Sequence, residues 1–437
     1  MNLYNTQAAM QHRLLYPTRH GWTTVNYPFL SFYLVGYASR VVGDYLLAGR
    51  LISLLAFLSS CSLVGLIVKR LTGSWGPAVL GSVFCLGLFC ARIPGYVAMD
   101  DPQMLAHPFF LLGLWLYLAA PPNNLRIAMI ASLFAFGGNI KHNLLPAPIS
   151  VLADLFLTSL GKATRFLVFG AILLAASIAV NMLVGGRFFI SNLMTSRPYS
   201  LEEIRRAFFG FYSPLVLPLA LSFFWSIWQL QNSRARPIAF YFFSSLLMGV
   251  VFAGGGGVNG NTFFDNMFAM SIIMGGCLDS LWKAPIPRLG KGGQWRFLVP
   301  VLLYSPVIME FVPRGLPLSK FLSEFPLHER VEKQEVAFLV GRPGPAICES
   351  LFLCYDAGKP YILDPFNSNS LVQAGKLDSH DLVKQIAAKQ FGAIQTYHPV
   401  TQRPNDAFSQ DVLAAIDHYY TEGLRAPDCY IYIPRAP

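Results

Sequence analysis

The chain reads as a polytopic α-helical membrane protein with a water-soluble α/β domain at its C-terminus. Three observations predict this class. Between roughly residues 46 and 311 the sequence keeps returning to runs such as LLAFLSSCSLVGLIV, FFLLGLWLYLAA and FLVFGAILLAASIAVNMLV, separated by short polar turns. Runs of this kind can cross hydrocarbon as helices, with every backbone group bonded inside the segment. With 54% hydrophobic and 13% charged residues, the 437-residue chain is too apolar for an ordinary soluble domain. From about Pro313 onward the long apolar runs give way to mixed segments punctuated by turn residues.

Ten segments are predicted to span, at about 46–67, 76–91, 104–120, 125–140, 144–160, 165–184, 212–230, 237–253, 264–282 and 295–311. Residues 1–45 precede them as a partial external loop with interfacial helices, and 312–437 form the soluble domain. The net charge of +10 has no basic tail or nucleic-acid motif behind it, so nucleic acid is not an expected partner. Basic residues beside spans orient them and suit lipid phosphates. Lys69 and Arg70, Lys162 and Arg165, Arg234 and Arg236, and then Lys283, Arg288, Lys291 and Arg296 fall on one side. The positive-inside rule makes that side cytoplasmic. Arg187, Arg197, Arg205 and Arg206 fall on the other, where an anionic ligand would account for them.

Ten spans place both termini outside. MNLYNTQAAMQHRLLYPTRHGW has no apolar core to start insertion. The chain is therefore expected to be a set of spans lacking its first helix, although a miscounted span would give the same parity.

In the tail, GPAICES, KPYILDPF, AIQTY and CYIYIP read as strands. SHDLVKQIAAKQFG reads as a helix with a glycine stop, and DAFSQDVLAAIDHYYTEG as a second helix preceded by Pro404 and closed by Gly423. GRPGPA lacks the spacing of a nucleotide loop and reads as a turn.

Four polar segments at the external ends of spans carry the candidate chemistry. The first holds Tyr16, Arg19, His20, Trp22, Asn26, Tyr27 and Pro28 before a stretch with Arg40, Asp44 and Arg50. It suits an interfacial anchor as well as substrate contact. The second, ARIPGYVAMDDPQMLAH, carries Arg92, Asp100 and Asp101. An acid before Pro102 is foremost a helix cap, while paired acids also suit a divalent cation or a sugar hydroxyl. The third, GGNIKHNLLP, sets Lys141, His142 and Asn143 between two apolar runs. An ammonium there either snorkels to headgroups or meets a bound phosphate. The fourth, AGGGGVNGNTFFDNMFAM, brings Asn259, Asn261, Asp265 and Asn266 to a span after four glycines. That is more polar capacity than capping requires, and it suits a hydroxyl-rich ligand.

Cys61, Cys85, Cys90 and Cys277 lie in apolar runs as small core residues. Cys348, Cys354 and Cys429 share the tail and permit at most one internal pair. The eight histidines are dispersed, without HExxH spacing or a thiolate set.

Tyr27–Pro28, Arg50 opening AGRLISLLA, the Ala91–Pro102 segment with its Asp-Asp-Pro end, Lys141 before a span and the Gly/Asn segment at about 254–266 together resemble the GT-C integral-membrane glycosyltransferases. The likeness is to the bacterial branch of lipid A aminoarabinose transferases, rhizobial lipopolysaccharide sugar transferases and protein mannosyltransferases. It covers most of residues 10–311, and the tail looks like the periplasmic domain of many members. The resemblance implies a multi-pass protein of the bacterial inner membrane that takes a sugar from a polyprenyl-phosphate donor. Its acceptor would be an envelope glycan, a lipid or a protein, and the transfer inverting. It also implies donor-phosphate contacts at Lys141, Arg50 and Arg92. Cavity or acceptor contacts fall to Tyr27, Asp100, Asp101, His142, Asn259, Asn261 and Asp265, with a divalent cation at Asp100 and Asp101 as a further option. The essential acid of the family's first external loop has no counterpart in the first thirty residues, so the catalytic residue is expected upstream of Met1. A lipid or polyprenyl-linked flippase and a degenerate assembly protein are the alternatives. The first predicts inverted repeats and midplane helix breaks, and the second gives no reason for so polar an external face.

Overall fold

The computed structural model describes residues 1–19, 21–195, 197–283, 295–315, 317–402, 407–427 and 429–436. His20, Arg288, Lys291 and Pro404 lie outside the described residues. The helices, in chain order, are α1 (Asn2–Met10), α2 (Leu30–Val42), α3 (Tyr45–Thr72), α4 (Trp75–Arg92), α5 (Pro102–Ala119), α6 (Asn124–Gly138), α7 (Pro146–Thr158), α8 (Leu160–Gly185), α9 (Phe189–Leu193), α10 (Leu201–Tyr212), α11 (Val216–Gln229), α12 (Arg236–Ala253), α13 (Phe264–Lys283) and α14 (Trp295–Gly315). Each apolar run from 46 onward becomes one helix. Among the described residues five stretches are long and apolar enough to cross a membrane: α3, α4, α8, Leu201–Gln229 and α12.

The chain divides into two compact units. One comprises Tyr27–Val180 and Tyr199–Leu316 and is the helical bundle. Its centre is α13, which is buried almost all round from Phe264 to Asp279. A helix buried on every side has no solvent face to present, so it takes the middle of a bundle. Phe89 of α4 packs on Phe264 and Phe268 with ring centroids 5.1 and 4.8 Å apart. Gly275 lets α3 close in, since a Cβ there would meet the Val68 methyls at 2.8 Å. The helix ends follow local chemistry. Asp44 accepts from the Leu47 amide to start α3, and Gly73, at φ +75°, closes it.

The other unit comprises Met1–Asn26, Asn181–Pro198 and Pro317–Pro437. After α15 (Pro317–Val340) come β1 (Ala346–Cys348), α16 (Leu351–Asp356), α17 (Pro365–Gln373), α18 (His380–Ala387), β2 (Ala393–Thr396), α19 (Gln410–Tyr419), β3 (Tyr420–Ala426) and β4 (Cys429–Pro434). The sheet order is β1-β2-β4-β3, parallel between β1 and β2 and antiparallel elsewhere. Ile347, Ile394, Ile386, Leu413 and Ile416 are buried in its core.

Three local expectations are corrected. KPYILDPF forms no strand, because Asp364 accepts from the Asn367 amide at 3.0 Å and opens α17 instead. The second tail helix ends at Tyr419, and Gly423 lies within β3 at the bulge between Glu422 and Leu424. Most of β3 is exposed edge strand, so it lacks the apolar alternation that marks a half-buried strand. The first tail helix stops at Ala387, before Gly392, with Lys389 taking φ +54°. Of the three tail cysteines, Cys348 and Cys354 form the disulfide and Cys429 stays free.

Candidate functional site

Three of the four polar segments, with Tyr27 of the first, converge at the end of the bundle where α5 and α13 begin. Asp101 caps α5 by accepting from the Gln103 amide at 2.6 Å, with Pro102 in the first helical position. Its own amide lies 3.5 Å from Ser53 Oγ of α3. Asp100 packs against α3 at Gly49, where a Cβ would come within 2.5 Å of its carboxyl carbon. Only glycine leaves room for that approach. Two residues earlier, Ala98 takes the left-handed φ of +61°, turning the connection before it reaches the acids.

Lys141, in the connection between α6 and α7, is only 7% exposed. Its ammonium lies 4.1 Å from the centroid of the Tyr27 ring, and its charge acts on both Asp101 and His142. Burial raises the Asp101 carboxyl, against the lowering effect of Lys141 and of the Gln103 amide. Burial and then Asp101 raise Asp100 to about 6. Burial and then Lys141 lower His142 to about 4.

The Gly/Asn segment closes the arrangement. Gln103 Nε2 donates to the Asn261 carbonyl at 2.6 Å, and Asn261 Nδ2 donates to Gln103 Oε1 at 3.2 Å. Asn259 hydrogen-bonds Tyr96, whose hydroxyl is pushed up to about 12 by burial and then by Asp101. Asp265, at the start of α13, accepts from the Tyr241 hydroxyl at 2.8 Å and lies 3.9 Å from Nδ1 of His107. Asn266 accepts from the Tyr212 hydroxyl at 2.7 Å.

Tyr27, Asp100, Asp101, Lys141, His142, Asn259, Asn261 and Asp265 therefore belong to one end of the bundle. Arg50 is exposed on α3, one residue past Gly49. Arg92 is engaged differently: it pairs with Glu310 of α14 at 2.8 Å, donates to the Gly210 carbonyl and stacks over Phe211. Sequence reasoning missed Tyr96, Gln103, His107 and Tyr241. Each is a single polar group beside or within an apolar run; for His107, an ionisable residue inside a span was the available signal.

Among the described residues no three His, Cys, Asp or Glu side chains are grouped to hold a metal ion. Asp101 is committed to the Gln103 amide, and the Lys141 charge already acts on it. The arrangement suits an anion at Lys141 and hydroxyl groups at the neighbouring carboxylates and amides.

No protein-family model matches the chain, and no curated protein matches it. Solved structures do. ArnT from Cupriavidus metallidurans in the apo state superposes with a TM-score of 0.59 at 11% identity, covering 99% of this chain and 92% of that one. The same protein bound to undecaprenyl phosphate gives 0.57 at 12% identity, with the same coverage. The Archaeoglobus fulgidus oligosaccharyltransferase in complex with Zn and sulfate gives 0.51 at 12% identity, over 96% of this chain and 66% of that one. The fold defines a multi-pass membrane protein. Its fold is shared with ArnT and with the archaeal oligosaccharyltransferase.

Proposed function

We propose that this protein transfers a sugar from a polyprenyl-phosphate donor to a hydroxyl of an envelope glycan, lipid or protein, with inversion at the anomeric carbon. The observation that carries the reading is the buried Lys141, its ammonium over the Tyr27 ring and its charge acting on Asp101 at the start of α5, in a chain that shares the ArnT fold. An undecaprenyl phosphate occupies one structural neighbour with that fold.

In this reading Lys141 holds the donor phosphate and meets the charge that develops on it as the sugar departs. Arg50, exposed beside the Gly49 contact, is the second cation available to the phosphate. Arg92 is already paired with Glu310 and serves the bundle instead. Asp100, Asp101, His142, Asn259, Asn261 and Asp265 supply the groups that bind and orient sugar and acceptor hydroxyls. The polyprenyl tail lies along apolar helices in the membrane. The reaction faces the periplasm of a bacterial inner membrane, a placement supported by the loop charge bias and by the Cys348–Cys354 disulfide, which suits an oxidising compartment.

The test is transfer itself. The purified full chain in nanodiscs is supplied with the polyprenyl-linked sugar fraction and acceptors of its own membranes. Released polyprenyl phosphate and modified acceptor are then followed by mass spectrometry. Equal release of both, lost in Lys141→Met, supports the reading; donor crossing the bilayer intact, with no polyprenyl phosphate released, overturns it.

A further inference from the structure

Of the external arginines, Arg205 and Arg206 pair with Glu202 and Glu203 on α10. Arg187 and Arg197 belong to the unit that also holds the sheet. The two leading segments of that unit, 1–26 and 181–198, carry four arginines and no acidic residue. They brace each other where α8 ends. The Tyr16 amide donates to the Gly185 carbonyl at 2.8 Å, and Asn192 Nδ2 donates to the Thr18 carbonyl at 2.8 Å. The Tyr16 ring lies against Gly185 and packs on Phe189 at a centroid distance of 5.1 Å. Gly186, at φ +122°, turns the chain out of α8, and a Cβ there would meet the Tyr16 carbonyl oxygen at 2.7 Å.

Arg13, Arg19 and Arg187 are exposed and have no carboxylate partner among the described residues. The fourth arginine, Arg197, lies over the Phe366 ring of α17 at 6.0 Å. Leu14, Ile190 and Met194 stand exposed in the same two segments. Depth follows from α8. Almost none of that apolar helix is buried, and its exposed side chains continue to Leu183 and Val184. Such a surface belongs in hydrocarbon, so the boundary falls near Val184. Arg187 follows after at most about 11 Å of chain, beside a headgroup layer roughly 5–7 Å thick. Cations among exposed apolar side chains at this depth match lipid phosphates and the acyl chains beneath them. A second copy of the chain would bring the same cations face to face, which repels.

We propose that Arg13, Arg19 and Arg187, with Leu14, Ile190 and Met194, form a docking surface for anionic phospholipid headgroups of the external leaflet. The arginines hold the headgroups, and the apolar side chains enter the acyl layer below. With no acid in either segment, zwitterionic headgroups leave the positive charge uncompensated, and net anionic ones neutralise it. The surface moors both segments to the membrane and uses none of the residues at the polar end of the bundle.

The test uses the full chain in nanodiscs that contain a photoactivatable lipid. The probe is phosphatidylglycerol or phosphatidylcholine, each with a diazirine at the same position near the glycerol. Mass spectrometry of the digest locates the adducts. Labelling of 11–19 and 187–194 by the phosphatidylglycerol probe should exceed that by the other at least about fivefold, the worth of one basic side chain at an anionic surface. The triple variant Arg13→Gln, Arg19→Gln, Arg187→Gln should lose this preference. Lysine at the same positions keeps the charge and should hold it within about threefold. Labelling of the exposed face of α8 is the standard for folding and insertion. Equal labelling by the two probes, or a preference that survives in the glutamine variant, overturns the proposal. So does labelling of neither segment, or cross-linking of these segments to a second copy. Displacement of the lipid by inorganic phosphate beyond that by chloride at equal ionic strength assigns the arginines to a free anion and also overturns it. Sugar transfer does not enter the readout, so failure of the transfer reading leaves this result standing.

Discussion

Gln103 and Asn261, 158 positions apart, hold each other by two hydrogen bonds: one from Gln103 Nε2 to the Asn261 carbonyl at 2.6 Å, one from Asn261 Nδ2 back to Gln103 Oε1 at 3.2 Å. That pair ties the start of α5 to the segment that leads into α13. It therefore fixes Asp101 and Asp265 within one frame.

Replacing Gln103 by Leu leaves the Asn261 carbonyl and amide without these partners. The expected cost is about 1–3 kcal/mol, read as a lower Tm in detergent. Transfer activity should fall further than stability alone explains, because the Asn259–Asp265 segment loses its anchor. Asn261→Ala, which keeps the carbonyl, should be milder on both measures.

Asp100 gives the site a pH signature. Its carboxyl is raised from 3.8 to about 6, so the folded protein holds that proton more tightly than the unfolded chain does. The stability it contributes is full below about pH 4 and is lost as pH rises through about 6. Measured between pH 4 and 7, wild-type Tm should decline across that window through this group. Asp100→Asn should remove the decline, a difference of at most about 3 kcal/mol. An unchanged slope in the variant would count against the burial of this acid.

At the other end of α5, Tyr117 donates to Asp154 Oδ2 at 2.5 Å, and Arg236 of α12 reaches Asp154 Oδ1 at 2.6 Å. Arg236→Met strands a buried carboxylate and should cost about 3–5 kcal/mol. Asp154→Leu combined with Arg236→Met should recover part of that loss. In both variants, measured at a temperature where they stay folded, undecaprenyl-phosphate affinity should be unchanged, since this latch lies away from Lys141.

Much of this arrangement was legible in the sequence. Apolar runs longer than a strand can use became helices α3 to α8 and α11 to α14, and the Asp101–Pro102 pair became the N-cap it resembles. Lys141 between two apolar runs stood out because an ammonium there needs a reason. What escaped notice depends on distant pairing. Gln103 looks ordinary within an apolar helix, and His107 shows only an ionisable ring inside a span, until Asn261 and Asp265 arrive from more than 150 residues away. The engagement of Arg92 by Glu310 spans 218 positions and leaves no local trace. In the tail, an exposed edge strand at Tyr420–Ala426 continued the look of the helix before it.

The account turns on Lys141 as the phosphate-binding group. The most direct measurement is the Kd for undecaprenyl phosphate of the full chain in nanodiscs, for wild type, Lys141→Met and Tyr27→Ala. A charge-assisted contact of about 1.5–3 kcal/mol predicts roughly 10- to 100-fold weaker binding for Lys141→Met. Tyr27→Ala should lose a few-fold through the missing ring under the ammonium. Equal affinity of wild type and Lys141→Met would contradict the account.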